Sequence, residues 1–202
     1  MQPGAAEELA RLRAALGTVQ AAPSSDVDLA PSLRVPDRSL RPAAVLIPFM
    51  AEGARLELLL TRRAPGLRHH PGQIALPGGR VDPEDENPTA AALREAHEEI
   101  GLPSALVEVL GILPPHETVT GFRIHPVIAL VRGSFDVLPQ QEEVAEVFRT
   151  PFAHVADPSR YTVQHRRWRG ETRAYFAVPW GPYYIWGATA RILHGLARRF
   201  AP

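Results

Sequence analysis

Between residues 76 and 102 the chain reads Leu76-Pro77-Gly78-Gly79, a short acidic turn, and then Arg94-Glu95-Ala96-His97-Glu98-Glu99-Ile100-Gly101-Leu102. No other stretch limits the fold as tightly. Two glycines after a proline give a tight loop that other backbone can approach closely. Asn87 is a good N-cap, and Pro88 suits the first helical position, where its missing N–H costs nothing. Gly101 is a natural stop, with Pro103 just beyond. The spacing predicts one helix, bounded at both ends by local chemistry.

At about 100° per residue, Leu93, Ala96 and Ile100 share one side of that helix, the expected core face. Glu98, Glu95 and Glu99 lie roughly 140°, 200° and 240° from Leu93, on the other side. Three carboxylates on one arc repel one another by a few tenths of a kcal/mol per i,i+4 pair. The plain reading is a solvated acidic face. The glycine loop just upstream favours a second reading, because it brings free backbone groups beside the same arc. Clustered carboxylate oxygens are what hard Mg²⁺ or Mn²⁺ ions prefer.

Composition narrows the function class. The 22 basic and 22 acidic residues cancel, so no global field selects nucleic acid or a membrane surface, and any anion recognition must be local. The absence of cysteine excludes disulfides, thiol catalysis and zinc–cysteine sites, and fits a cytoplasmic protein. No apolar run approaches the roughly 18 residues that span a bilayer; the best, Ala43 to Met50, is interrupted by Pro48. The N-terminus mixes Glu7, Glu8, Arg11 and Arg13 among its leucines, unlike a secretory signal. A small-molecule partner is expected, with a homodimer admissible.

Leu9, Leu12 and Leu16 predict an amphipathic helix over 5–16, packed on the domain edge. Residues 20–42, with four prolines, read as an irregular connection, so 1–40 stand apart from a main domain at 41–202. Strands are expected at Ala43–Phe49, Leu56–Arg62, Leu106–Leu113, Arg123–Val131 and Glu142–Phe148. Pro114 to Glu117 reads as a loop, in which His116 and Glu117 are polar loop residues. A hairpin follows over Tyr161–Trp168 and Glu171–Val178, turning at Arg169-Gly170. Its Arg166, Arg167, Arg169 and Arg173 read as a solvated, aggregation-blocking edge. Trp180, Tyr183 and Trp186 form an aromatic loop, read as a packed corner, before a last helix over Ile185–Phe200. Strands with one embedded and one terminal helix suggest a mixed β-sheet covered on both faces, an α/β/α sandwich.

At Arg94 to Leu102 the sequence resembles the Nudix hydrolases, whose signature ends in Arg-Glu-apolar-x-Glu-Glu-x-Gly-apolar. The interval from Gly79 to Arg94 is one residue longer than that family's, which leaves Glu84, Asp85 and Glu86 as alternatives for its early acid. Upstream, Leu59-Leu60-Thr61-Arg62-Arg63-Ala64, Arg68, Gly72 and Pro77-Gly78-Gly79 are similar to the motif of the coenzyme A pyrophosphatase branch, with Leu76 where that branch usually has phenylalanine. Thr120-Gly121-Phe122-Arg123, Pro126 and Ile185 to Ala190 also look like this branch. The resemblance implies a Nudix-type α/β/α sandwich. It also implies a metal-dependent cleavage of coenzyme A, or a derivative, to adenosine 3′,5′-bisphosphate and 4′-phosphopantetheine.

On that basis Glu95 and Glu99, one turn apart, are expected to hold Mg²⁺ or Mn²⁺. Glu98 is a third ligand or a base, and Gly78 a further ligand through its carbonyl. Arg94 is expected to orient the glutamates, and Glu143, or failing it Glu142, to be a distal acid. Coenzyme A carries a pyrophosphate and a 3′-phosphate, and Arg62, Arg63 and Arg68 offer forked donors for them. Two alternatives remain. One is a Nudix hydrolase for another nucleoside diphosphate derivative, such as ADP-ribose or a dinucleotide. The other is a non-catalytic nucleotide-binding module, which would be expected to have lost a helix glutamate.

Overall fold

The computed structural model describes residues 1–17, 22–31, 39–168 and 170–200. Among them, nine strands form one mixed sheet: β1 (Ser24–Ser25), β2 (Arg41–Glu52), β3 (Arg55–Arg63), β4 (Ile74–Ala75), β5 (Gly78–Arg80), β6 (Val107–Ile112), β7 (His116–Glu117), β8 (Phe122–Val131) and β9 (Val144–Pro151). The path runs β1-β7-β8-β2-β3-β4, with β5 also on β2, β6 on β8 and β9 on β3. β2 and β8 pair in parallel over ten residues, while β2 and β3 form an antiparallel hairpin closed at Glu52 and Arg55. That two-residue turn needs Gly53, whose φ is +56°.

Strand alternation divides the core. On β2, Ile47 and Phe49 point to one face, and Ala44, Leu46 and Met50 to the other; on β3, Leu56, Leu58 and Leu60 oppose Leu59. The first face is covered by α1 (Pro3–Gly17), the short α3 (Phe152–Val155) and α4 (Gly187–Ala197). The second is covered by α2 (Pro88–Ile100) through Ala91, Ala92, Ala96 and Ile100. This is the expected α/β/α sandwich with a mixed sheet. A separate hairpin, β10 (Thr162–Trp168) with β11 (Glu171–Ala177), lies against α4. No described helix is long and apolar enough to cross a membrane.

The caps of α2 are those its residues foretold. The Asn87 side chain accepts from the Thr89 and Ala90 N–H groups at 2.9 and 3.0 Å, and Gly101 ends the helix at φ 71°. Such an N-cap contributes about 1 kcal/mol.

Several expectations need correction. The N-terminal helix is no mere edge decoration: Leu9 and Leu12 enter the main core, and Glu8 accepts from the Leu56 N–H at 2.6 Å. In the stretch expected to be irregular, Ser24–Ser25 pairs in parallel with His116–Glu117, so the expected loop at His116 is a strand. A 3-10 turn at Asp26–Asp28 follows, closed by the Ser25 capping box. Residues 18–21 and 32–38 of that stretch, and Arg169 of the hairpin turn, lie outside the described residues. His116 is fully buried, 3.0 Å from Ser24 Oγ through Nδ1 and 3.4 Å from Asp26 Oδ1 through Nε2. Asp26 also pairs with Arg173 at 2.7 Å, which removes Arg173 from the solvated edge.

Candidate active site

The helix wheel misplaced one carboxylate. Glu99 is not on a solvated arc; it is 5% exposed, wedged between α2 and the glycine loop. The small residues Ala91, Ala92 and Ala96 let α2 lie close on the sheet. Glu99 Oε2 then reaches the Gly78 N–H at 3.1 Å. The structure thus turns the amide of Gly78 toward the helix carboxylate. Space requires Gly78, and at Gly79 a side chain would displace the Glu95 carboxylate. A Cβ on Gly78 would sit 2.3 Å from the Ala44 carbonyl oxygen, at φ +150°, and one on Gly79 would sit 2.5 Å from the Glu95 carboxylate. Glu95 therefore lies against the loop, and Glu98, with a side chain 56% exposed, stands on the outer edge.

Burial pushes Glu99 up to about 7; the Gly78 N–H opposes it, while the Glu95 and Glu143 carboxylates add to it and Arg63 subtracts. Glu95 is raised as well, first by burial, with Arg94 pulling it back and Glu98 and Glu143 adding. Glu143 thus joins the field of the helix acids, although it comes from the turn just before β9. Its position follows from backbone pairing: its carbonyl accepts from the Ala64 N–H at 2.8 Å, and Gln140 N–H bonds to the Glu99 carbonyl at 2.9 Å.

Arg94 is the hub of the acidic turn. Its Nε and Nη2 make a forked pair with Asp85 at 3.0 and 2.9 Å, and its Nη1 lies 3.1 Å from both Glu95 and Glu98. A further bond goes to the Arg80 carbonyl at 3.1 Å. Asp85, held by Arg94, stays below the usual carboxylate range, and the arginine is held fully charged. Of the three candidates for the early acid, Asp85 is the one that grips Arg94; Glu84 and Glu86 face solvent. Orientation of the glutamates by Arg94 is what these bonds accomplish.

The upstream arginines separate. Arg63 is on the α2 side, where its charge acts on Glu99, and its buried Nε has no hydrogen-bond partner among the described residues. Arg62 is on the opposite face, 3.0 Å from Glu146. Arg68 is exposed in the following loop. The three therefore do not form one cluster. Sequence reasoning left Asp85 as one of three alternatives for the early acid, and missed Glu146 and Tyr183 beside Arg62. Only the alternation of β3 would have hinted at the separation.

The donor set suits a hard divalent cation: carboxylates of Glu95, Glu98, Glu99 and Glu143 converge in field, and the buried Glu99 lacks a charged partner close enough to keep its acidity normal. Among the described residues no three acids or histidines form a closed cage. Mg²⁺ commonly takes one or two carboxylates and completes its shell with water and substrate phosphate.

Comparison with known proteins accords with this geometry. The family model described as NUDIX domain matches residues 39–171. The chain is 43% identical over 157 residues to a protein described as uncharacterized Nudix hydrolase NudL from Enterobacter sp. (strain 638), covering 78% of this chain and 81% of that one. A protein of the same description from Klebsiella pneumoniae (strain 342) is 42% identical over the same coverage. Among solved structures, a Nudix hydrolase from M. Smegmatis, RenU, aligns with a TM-score of 0.45 at 30% identity, over 58% of this chain and 74% of its own.

Proposed function

The chain belongs to the Nudix hydrolase family, and from that premise we propose that it cleaves coenzyme A, or a coenzyme A derivative, at the pyrophosphate. The products are adenosine 3′,5′-bisphosphate and 4′-phosphopantetheine or its derivative. One observation carries the reading. Of the branch-like arginines in the segment Leu59 to Gly72, Arg63 at the end of β3 lies on the carboxylate side of the sheet. Arg63 acts on Glu99 there, and its strand is tied on by the Gln73 carbonyl at 2.9 Å, with the Gly72 N–H returning to the Arg63 carbonyl at 3.1 Å.

Glu95 and Glu99 would hold Mg²⁺ or Mn²⁺, with Glu98 as a third donor or as the base. When bound, the ion supplies charge neutralisation at the bridging phosphates and a water of lowered pKa. The chain's own residues do the rest. Arg94 holds Glu95 and Glu98 in place and keeps them apart from Asp85. Arg63 offers a forked donor to the pyrophosphate beside Glu99. Glu143 and Glu98 are the two carboxylates placed to accept the proton of an attacking water. All three helix glutamates are present, as hydrolysis requires and a mere nucleotide sensor does not.

The test is mass-resolved product analysis of coenzyme A, ADP-ribose and a dinucleotide, each incubated with the protein and Mg²⁺ or Mn²⁺. Adenosine 3′,5′-bisphosphate from the coenzyme A sample alone is the expected result. Cleavage of ADP-ribose instead would keep the carboxylate face and discard the substrate assignment. No product from any sample would leave a nucleotide-binding module.

A further inference from the structure

The separation of Arg62 from Arg63 is a consequence of regular strand geometry. The irregularity in the β3–β9 pairing lies on β9, because Arg62 pairs with Glu146 and Arg63 with Val144, leaving Ala145 as the extra residue. β3 itself keeps its alternation, so its last two side chains go to opposite faces of the sheet. On the α4 side, Arg62 Nη2 is 3.0 Å from Glu146 Oε2, and the Tyr183 hydroxyl donates to Glu146 Oε1 at 2.5 Å. The Tyr183 ring stacks on Phe148, with centroids 3.6 Å apart and an interplanar angle of 9°. Its backbone is closed by a reciprocal pair of hydrogen bonds with Trp180, both 2.9 Å.

A single exposed arginine–glutamate pair adds little stability and costs side-chain freedom. Here the carboxylate is gripped from its far side by a phenol that is itself locked in an aromatic stack. The result is a guanidinium held beside a carboxylate that is itself fixed, with its side chain still 49% exposed. Pre-orienting a forked donor toward water is how a site lowers the entropy of capturing an anion. Two guanidiniums sent to opposite faces are arranged for two phosphates rather than for one.

We propose that Arg62, positioned by Tyr183 through Glu146, takes the phosphate remote from the cleaved bond, which in a coenzyme A substrate is the 3′-phosphomonoester, while Arg63 serves the pyrophosphate. This rests on the coenzyme A reading above. Arg62 is then the residue that separates coenzyme A from its 3′-dephospho analogue. Tyr183 is a positioning residue that never touches the substrate. It comes from the loop before α4, beyond the residues matched by the family model.

Steady-state kinetics on coenzyme A and 3′-dephospho-coenzyme A test this with the wild type, Arg62→Gln, Arg63→Gln and Tyr183→Phe. Arg62→Gln should raise KM for coenzyme A by about tenfold or more, as for a lost charge-assisted contact, with kcat little changed. The loss should be confined to the substrate carrying the 3′-phosphate. Tyr183→Phe keeps the ring stack, so its melting temperature should hold, while KM for coenzyme A alone rises by roughly threefold. The double variant should be no worse than Arg62→Gln, because both act on one contact. Arg63→Gln should impair both substrates. Equal losses on the two substrates for Arg62→Gln would assign Arg62 to the pyrophosphate and overturn the proposal; no loss on either would leave a surface ion pair. If the wild type cleaves neither compound, the coenzyme A reading falls and takes this one with it. If it cleaves both with equal KM, only the assignment of Arg62 fails.

Discussion

Helices α2 and α4 cover opposite faces of the same sheet, and each carries a titratable group whose pKa is shifted by burial, half-buried on α4 and buried on α2. On α4 it is His194, set against the rings of Phe176 and Tyr161 at 4.1 and 5.2 Å between centroids. Burial, with Arg191 and Arg198 nearby, pushes its pKa down to about 4, so at neutral pH it is an uncharged ring among rings. On α2 the group is Glu99, pushed up to about 7 among other carboxylates. A neutral imidazole packed among rings is at rest. A buried carboxylate beside two more is not: it takes a proton or a cation. The packing beneath α4 therefore holds the fold together, and the α2 face holds an electrostatic deficit that chemistry can use.

Substitutions separate the two faces. The largest effect is expected from Glu99→Gln, which keeps an acceptor for the Gly78 N–H but loses the charge. Turnover should fall by at least about a hundredfold, since a metal-held charge at the phosphate is worth several kcal/mol, while far-UV circular dichroism stays unchanged. Wild-type rates for this variant would end the assignment of the face. Next comes Leu193→Ala on α4, fully buried in the main core. It should cost about 2–5 kcal/mol in denaturant unfolding, yet leave kcat near wild type wherever the protein is folded. A kcat loss without a stability loss would mean that the faces are not separate.

A smaller effect distinguishes the faces by pH. In the chelated protein the pKa of Glu99 is raised from 4.5 to about 7. The folded state therefore binds the extra proton, and this contribution to stability is fully present below pH 4.5 and lost as pH rises through about 7. Glu99→Gln has no such loss. It should match the wild type near pH 4.5 and exceed it by roughly 3 kcal/mol at pH 8, at about 1.4 kcal/mol per pH unit. Parallel stability curves across that range would show that Glu99 is not strained by burial.

Much of this was legible because it is local. The capped ends of α2 at Asn87, Pro88 and Gly101 depend only on neighbours, and β2 and β3 announce themselves as apolar runs bounded by a glycine turn. The α/β/α sandwich followed from elements of this kind, and its Nudix identity from the resemblance at Arg94 to Leu102. What failed was set by distance along the chain. The wheel assigned Leu93 to the core and Glu99 to water. The three alanines of α2 instead set the rotation of the helix, and Leu93 is only partly buried. The spacing from Gly79 could not choose among three acids; only the folded chain shows that Asp85 is the one paired with Arg94. His116 read as a loop residue because its partners, Ser24 and Asp26, lie about ninety positions away. Nothing in the sequence linked Tyr183 to Glu146, whereas the opposite facing of Arg62 and Arg63 was implied by strand alternation alone.

The most direct test of the central claim needs no substrate. Mn²⁺ binding, followed by titration calorimetry and paramagnetic resonance at pH 6 and pH 8, should tighten by up to about tenfold at the higher pH in the wild type and release a proton from the site at the lower. Glu99→Gln should bind weakly at both and lose the pH dependence. Binding by Glu99→Gln that equals the wild type at both pH values would contradict the account, and would place the cation somewhere other than the buried carboxylate of α2.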